Sequence, residues 1–193
     1  DELFIVRKTR PEQQILIATA KGLAIRFRGS DVRHMGRIAR GVRGIQLREE
    51  DLIVSVEELE DDAEMLLLTV TQKGFAKRTN LSQYRLHGRG GKGIINIKTG
   101  DRNGDVVGSV QVSDSHKILM ITDTGRIIKT RVHEVRETGR SALGVTVMRV
   151  GDNEKIVGVT RVLEDDNDDE GLVLDENGDP IEVAAVEGAD VVD

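Results

Sequence analysis

Residues 15–27, 67–79 and 118–130 read ILIATAKGLAIRF, LLTVTQKGFAKRT and ILMITDTGRIIKT. Each is an apolar run, a polar step ending in glycine, and a second run that carries cations. Their glycines, Gly22, Gly74 and Gly125, lie 52 and 51 residues apart, which marks an internal repeat of one supersecondary unit. A second set recurs further along each unit, as GVRGIQL at 41–47, GGKGIINI at 90–97 and SALGVTVM at 141–148, anchored on Gly44, Gly93 and Gly144. A third set at 3–6, 52–56, 106–110 and 156–159 closes the units. The chain therefore divides into three complete units and one extra closing strand.

Every unit reads as β. The runs 15–18, 66–70 and 118–121 are short, apolar and bounded by Gly, Asp, Lys and Thr, as strands buried on both faces are. After Gly22 the pattern alternates, with Leu23, Ile25 and Phe27 on one face and Arg26 and Arg28 on the other. This predicts a half-exposed strand with a cationic wet side. Four strands per unit, with glycine turns at fixed offsets, give an all-β, propeller-like fold of about three four-stranded blades. A solenoid of β units is the structural alternative.

Charge divides the chain a second way. Thirteen of the 34 acidic residues follow residue 163, where there is no Lys or Arg, so residues 1–163 carry 28 cations against 21 anions, or +7, and residues 164–193 carry −13. The net charge of −6 describes neither part. The tail keeps no trace of the repeat and is expected to be disordered, with contact segments at 172–174 and 181–186. The absence of cysteine excludes disulfides, thiolate metal sites and thiol nucleophiles. No apolar run reaches the roughly 18 residues of a membrane span, and no signal-peptide layout opens the chain. Four aromatic residues, Phe4, Phe27, Phe75 and Tyr84, are too few for a platform that stacks single-stranded bases.

The most informative local segment is HGRGGKG at 87–93: His87, Gly88, Arg89, Gly90, Gly91, Lys92 and Gly93. It formally contains G-x-G-x-x-G, yet a β-like run follows it instead of a helix, so the dinucleotide reading fails. A P-loop also fails, because Gly93 follows Lys92 where Ser or Thr is required. What remains is a bare loop whose amides and two cations can approach a phosphate backbone closely; the plainer reading is a glycine turn between strands. Cations recur at matching repeat positions: Arg26 with Lys77 and Lys129, Arg28 with Thr79 and Arg131, and Arg40 and Arg43 with Arg89 and Lys92 and with Arg140. Together with Arg78 they form the candidate DNA-binding set, a stripe along one rim.

The box at 87–93 resembles the Q-R-R-G-G-K-G motif of the C-terminal domain of bacterial DNA gyrase A. His87 stands for the Gln and Gly88 for the first Arg, and the remaining five positions match. DVRHMGRIARGVRGIQL, TQKGFAKRTNLSQY, DRNGDVVGSVQV and ITDTGRIIKTRV resemble the later blades of that domain, over residues 1–163 in all. The resemblance implies a β-pinwheel of which this chain is the C-terminal half, its last three of six blades, with the defining box upstream of Asp1. It also implies a role: non-specific binding, bending and chiral wrapping of double-stranded DNA, so that the enzyme introduces negative supercoils. The implied partners are the rest of gyrase A, together with gyrase B, in a heterotetramer, in the bacterial cytoplasm at the nucleoid and with no membrane. ATP and magnesium act elsewhere in that holoenzyme; no cofactor, metal site or catalytic residue is expected in this chain, since the nucleophilic tyrosine lies in another region. The equivalent domain of topoisomerase IV, used for substrate choice, and a protein-interaction propeller without DNA binding stay open as alternatives.

Other candidates are weak. His34, His87, His116 and His133 lack ligand spacing. Asp114, Ser115 and His116 are consecutive, which does not give the convergent geometry of a triad. Asp165, Asn167, Asp169 and Glu176 imitate calcium-loop positions, but Glu170 occupies the place of the obligatory glycine. Tyr84 has no basic or metal-binding constellation beside it in sequence.

Overall fold

The computed structural model describes residues 3–59 and 65–162. The acidic tail, with its two expected contact segments and its calcium-like spacing, lies outside the described residues. Within them the chain runs β1 (Gln14–Thr19), β2 (Leu23–Arg28), β3 (Ile53–Leu59), β4 (Leu66–Thr71), β5 (Phe75–Asn80), β6 (Ile94–Ile95), β7 (Val106–Val112), β8 (Lys117–Thr122), β9 (Ile127–Arg131), β10 (Val145–Thr146) and β11 (Ile156–Val162). Three single 3-10 turns, Gly29–Asp31, Leu81–Gln83 and Val132–Glu134, follow β2, β5 and β9, and there is no α-helix among the described residues.

The repeat is a tight hairpin. β1–β2, β4–β5 and β8–β9 turn at Gly22, Gly74 and Gly125, whose φ angles of 80°, 80° and 84° lie in the left-handed region that an L side chain resists. Each hairpin is flanked on its first strand by the closing strand of its own unit, β3, β7 or β11, all antiparallel. The segment at 3–6, expected as a further closing strand, pairs with no strand among the described residues, and Leu3 and Val6 are exposed.

Four-stranded sheets form only by exchange. The first sheet is ordered β3-β1-β2-β6 and the second β10-β5-β4-β7, so the fourth strand of each comes from the following unit. The third, β11-β8-β9, has three strands among the described residues. The exchanged strand continues onto the hairpin turn: Asn96 and Ile97 both donate their amides to the Gly22 carbonyl at 2.8 and 3.2 Å, and Val147 and Met148 to Gly74 at 2.9 and 3.2 Å. A Cβ on Gly22 or Gly74 would collide with the Ile97 or Met148 carbonyl, whereas Gly125 has open space around it.

This exchange explains the burial. Alternate residues of β4 face two cores: Leu67 joins Leu16, Ala18, Ala24 and Tyr84, while Leu66, Leu68 and Val70 join Val112, Ile118, Met120 and Met148. The expectation of strands buried on both faces is met there. β2, expected to be half-exposed, is not: Leu23, Ala24, Ile25 and Phe27 are buried, Arg26 is half-buried and Arg28 alone is exposed. The second unit covers its polar face.

A buried polar knot pins the exchange. The Tyr84 hydroxyl donates to Asn96 Oδ1 at 2.6 Å, and Asn96 Nδ2 reaches Thr69 Oγ1 and Ser109 Oγ, each at 3.1 Å. Asn96, Thr69 and Ser109 are fully buried, and such groups persist only when hydrogen-bonded. Burial pushes the Tyr84 phenol well above its usual pKa, so it stays a neutral donor.

Candidate nucleic-acid interface

Three loops stand at the same place in the repeat. In the first, Arg40 and Arg43 are exposed; in the second, Lys92 is exposed and Arg89 half-buried; in the third, Arg140 is half-buried. The first two loops are joined side by side: Gly90 N donates to Gly44 O at 2.6 Å, Gln46 N to Gly91 O at 2.8 Å, and Arg89 Nη1 to Arg43 O at 3.1 Å. Arg89 Nε also donates to Asp31 O at 2.9 Å. The third loop is tied to the second unit, with Arg140 Nη1 donating to Ile95 O at 2.7 Å and Asn103 Nδ2 to Leu143 O at 3.2 Å. The loops therefore follow one another as a row, and the two arginines brace it.

The glycines of the box separate into two kinds. Gly93 has φ 74° and a Cβ there would lie 2.7 Å from the Ala24 carbonyl; Gly144 has φ 85° and the same distance to the Ala76 carbonyl. These are demanded by the fold, because the exchanged strand enters against the preceding hairpin. Gly90, at φ 80°, is demanded by its turn. Gly88 and Gly91 have neither a positive φ nor a crowded Cβ position. Their bareness beside Arg89 and Lys92 leaves backbone open to a ligand. Arg85, His87 and Lys92 line a cleft of about 170 Å³ at this loop.

The remaining expected cations fall in two groups. Arg28, Lys129 and Arg131 are exposed on β2 and β9. Arg26, Lys77 and Arg78 are turned inward. Strand register pairs Arg26 with Leu16, Arg78 with Leu68 and Lys129 with Leu119, so the repeat partner of Arg26 is Arg78, and the sequence alignment with Lys77 is out by one residue. Arg26 and Arg78 do one job in successive units. Arg26 Nη1 donates to the carbonyls of Leu81 and Tyr84 at 2.7 and 3.1 Å, around the 3-10 turn of the second unit. Arg78, buried, reaches the carbonyls of Val135 and His133 around the corresponding turn of the third and pairs with Asp114. Sequence reading took them for rim charges because nothing local shows that the next unit lies on top of them. Asp114 is thus an arginine partner, and His116 accepts the Ser113 amide at 2.8 Å within the β7–β8 turn.

Lys77 is fully buried. Its Nζ donates to the carbonyls of Gly139 and Arg140 at 2.8 and 2.7 Å. It lies under the third loop, where Ile25 lies under the second; a Cβ on Gly91 would touch Ile25 Cδ1 at 3.6 Å.

The family model of the DNA gyrase C-terminal domain, beta-propeller, matches residues 13–59, 66–113 and 116–162, one segment per repeat. Among relatives, DNA gyrase A of Escherichia coli K12 is 42% identical over 192 residues, which is the whole chain and 21% of that protein. Its counterpart from Staphylococcus epidermidis is 41% identical over 86% of the chain and 19% of its own length. The chain thus spans about a fifth of the relatives it matches. A solved DNA gyrase A C-terminal domain superposes with TM-score 0.73 at 31% identity, over 79% of this chain and 51% of that one. The C-terminal domain of DNA topoisomerase IV gives 0.74 at 25%, over 79% and 47%. The hairpins, the exchanged strands and the matches to each repeat agree: the chain belongs to the DNA gyrase C-terminal domain family of β-propellers.

Proposed function

We propose that this chain binds duplex DNA along the row of three loops and bends it around the blades. The observation that carries the reading is the box loop, where Gly88 and Gly91, which the fold does not require, expose backbone beside Arg89 and Lys92. Arg40 and Arg43 on one side and Arg140 on the other extend that cationic surface over three units, and Arg28, Lys129 and Arg131 add exposed charge on the strands. Binding rests on phosphate contacts and on DNA shape, since few aromatics are present to read bases. Bending a 20–30 bp segment by 40–90° costs on the order of 1–6 kcal/mol, which contacts on successive loops offset.

Similarity to gyrase A supplies the purpose: chiral wrapping that lets an ATP- and magnesium-dependent heterotetramer with gyrase B introduce negative supercoils in the cytoplasm, at the nucleoid. The chain contributes no catalytic residue in this reading, and strand passage belongs to the remainder of the enzyme. The topoisomerase IV likeness supports a second reading, a domain used for substrate choice.

Ligating nicked circles in the presence of the chain separates the two. A shift in linking number is the expected outcome; tight binding with no shift favours the topoisomerase IV role, and no duplex affinity even at about 50 mM salt overturns DNA binding altogether. Lys92→Ala is expected to weaken binding uniformly across sequences and to reduce the salt slope by about 0.9 if one phosphate contact is lost.

A further inference from the structure

We infer that Lys77 makes duplex binding at the third loop proton-linked: its buried amine gains a proton when a phosphate backbone settles against Arg140. The inference rests on the DNA-binding reading above and goes beyond it. Its basis is geometric. The amine sits directly beneath the turn that carries Arg140, held by the Gly139 and Arg140 carbonyls at 2.8 and 2.7 Å. The equivalent residues of the other hairpins are Ile25 and Ile128, paired with Ile17 and Met120 as Lys77 is with Thr69. One unit of three therefore places an ionisable group where its neighbours place a hydrocarbon.

The charges around the amine leave it poised. Among the described residues the charged group that bears on it is Arg140, whose positive charge disfavours a second one; with burial, this lowers the Lys77 pKa to about 7. Across β4 it faces the Thr69 hydroxyl, which carries no charge. Arg140 also acts on Tyr84, but that phenol is held neutral far above the physiological range. Phosphates brought to Arg140 offset the repulsion and favour the ammonium, the charged form that burial penalises. By linkage, DNA binding takes up a proton and low pH strengthens binding. The neutral amine keeps two N–H donors, enough for both carbonyls, so deprotonation removes charge without releasing the loop.

The test is anisotropy of a labelled duplex of roughly 40 bp, titrated at constant ionic strength from about pH 6 to about pH 8.5. The wild-type chain is expected to lose several-fold to about tenfold affinity across that window. Lys77→Met is expected to remove that part of the loss, leaving only what exposed histidines contribute to both. Identical pH profiles overturn the inference while leaving DNA binding standing; absence of binding at every pH overturns both. Lysine side-chain NMR of the wild-type chain needs no variant. It is expected to show one lysine titrating near neutrality that moves upward when the duplex is added, and a Lys77 signal that stays in the usual lysine range, or does not move with duplex, overturns the proposal.

Discussion

At the scale of single residues, the box divides by what each glycine must avoid. Gly93→Ala combines a left-handed φ with a close approach to the Ala24 carbonyl, so a loss of about 1–3 kcal/mol is expected in urea unfolding. Gly88→Ala meets nothing within 4 Å and is expected to leave stability within about 0.5 kcal/mol while weakening duplex binding. Equal destabilisation by the two would show that Gly88 is structural as well. Lys77 gives a second stability signature. Its pKa is lowered on folding, to about 7, so the unfolded chain binds more protons between that pH and the ordinary lysine range, and stability rises as pH increases through that window. Lys77→Met is expected to flatten the slope, measured by unfolding midpoints at several pH values. The glycine positions were legible in the sequence, because turns recur at fixed offsets. The inward turn of Arg26, Lys77 and Arg78 was not, because their carbonyl partners lie 55 to 63 residues away.

At the scale of elements, the hairpins were readable from apolar runs flanking glycine, whereas the origin of the fourth strand was not. β6 and β10 are two residues long and pair with hairpins of the preceding unit, a contact too short and too distant to leave a periodic signal. What stabilises it is polar. Asn96→Ala would strand the Tyr84 hydroxyl, Thr69 and Ser109 in a buried site, and a loss of about 2–4 kcal/mol is expected. Amide exchange at Ile94 and Ile95 is expected to quicken more than exchange in β4. Uniform quickening across the sheet would mean that the knot acts on global stability alone.

At the scale of the molecule, the division into a +7 body and a −13 tail carries its own proposal. Thirteen tethered carboxylates compete with DNA phosphates for the same cations, at an effective concentration set by the tether. Removing residues 164–193 is expected to tighten duplex binding and flatten its salt dependence at the low end; unchanged affinity would assign the tail a solubilising role. The repeat fixed three blades and the direction of the family match, and the structure adds that each blade is a joint product of two units.

That joint ownership bears on how the chain is made. A hairpin leaving the ribosome has its outer edge unpaired until the next repeat has been synthesised, several seconds later at about 5–20 residues per second. During that interval β2 and β5 present open edges to any other nascent strand. Charged residues on those strands, Arg26 and Arg28 on one and Lys77 and Arg78 on the other, guard against wrong partners before they serve as braces. The same side chains thus protect the unfinished protein and, once their partner unit arrives, lock the finished one.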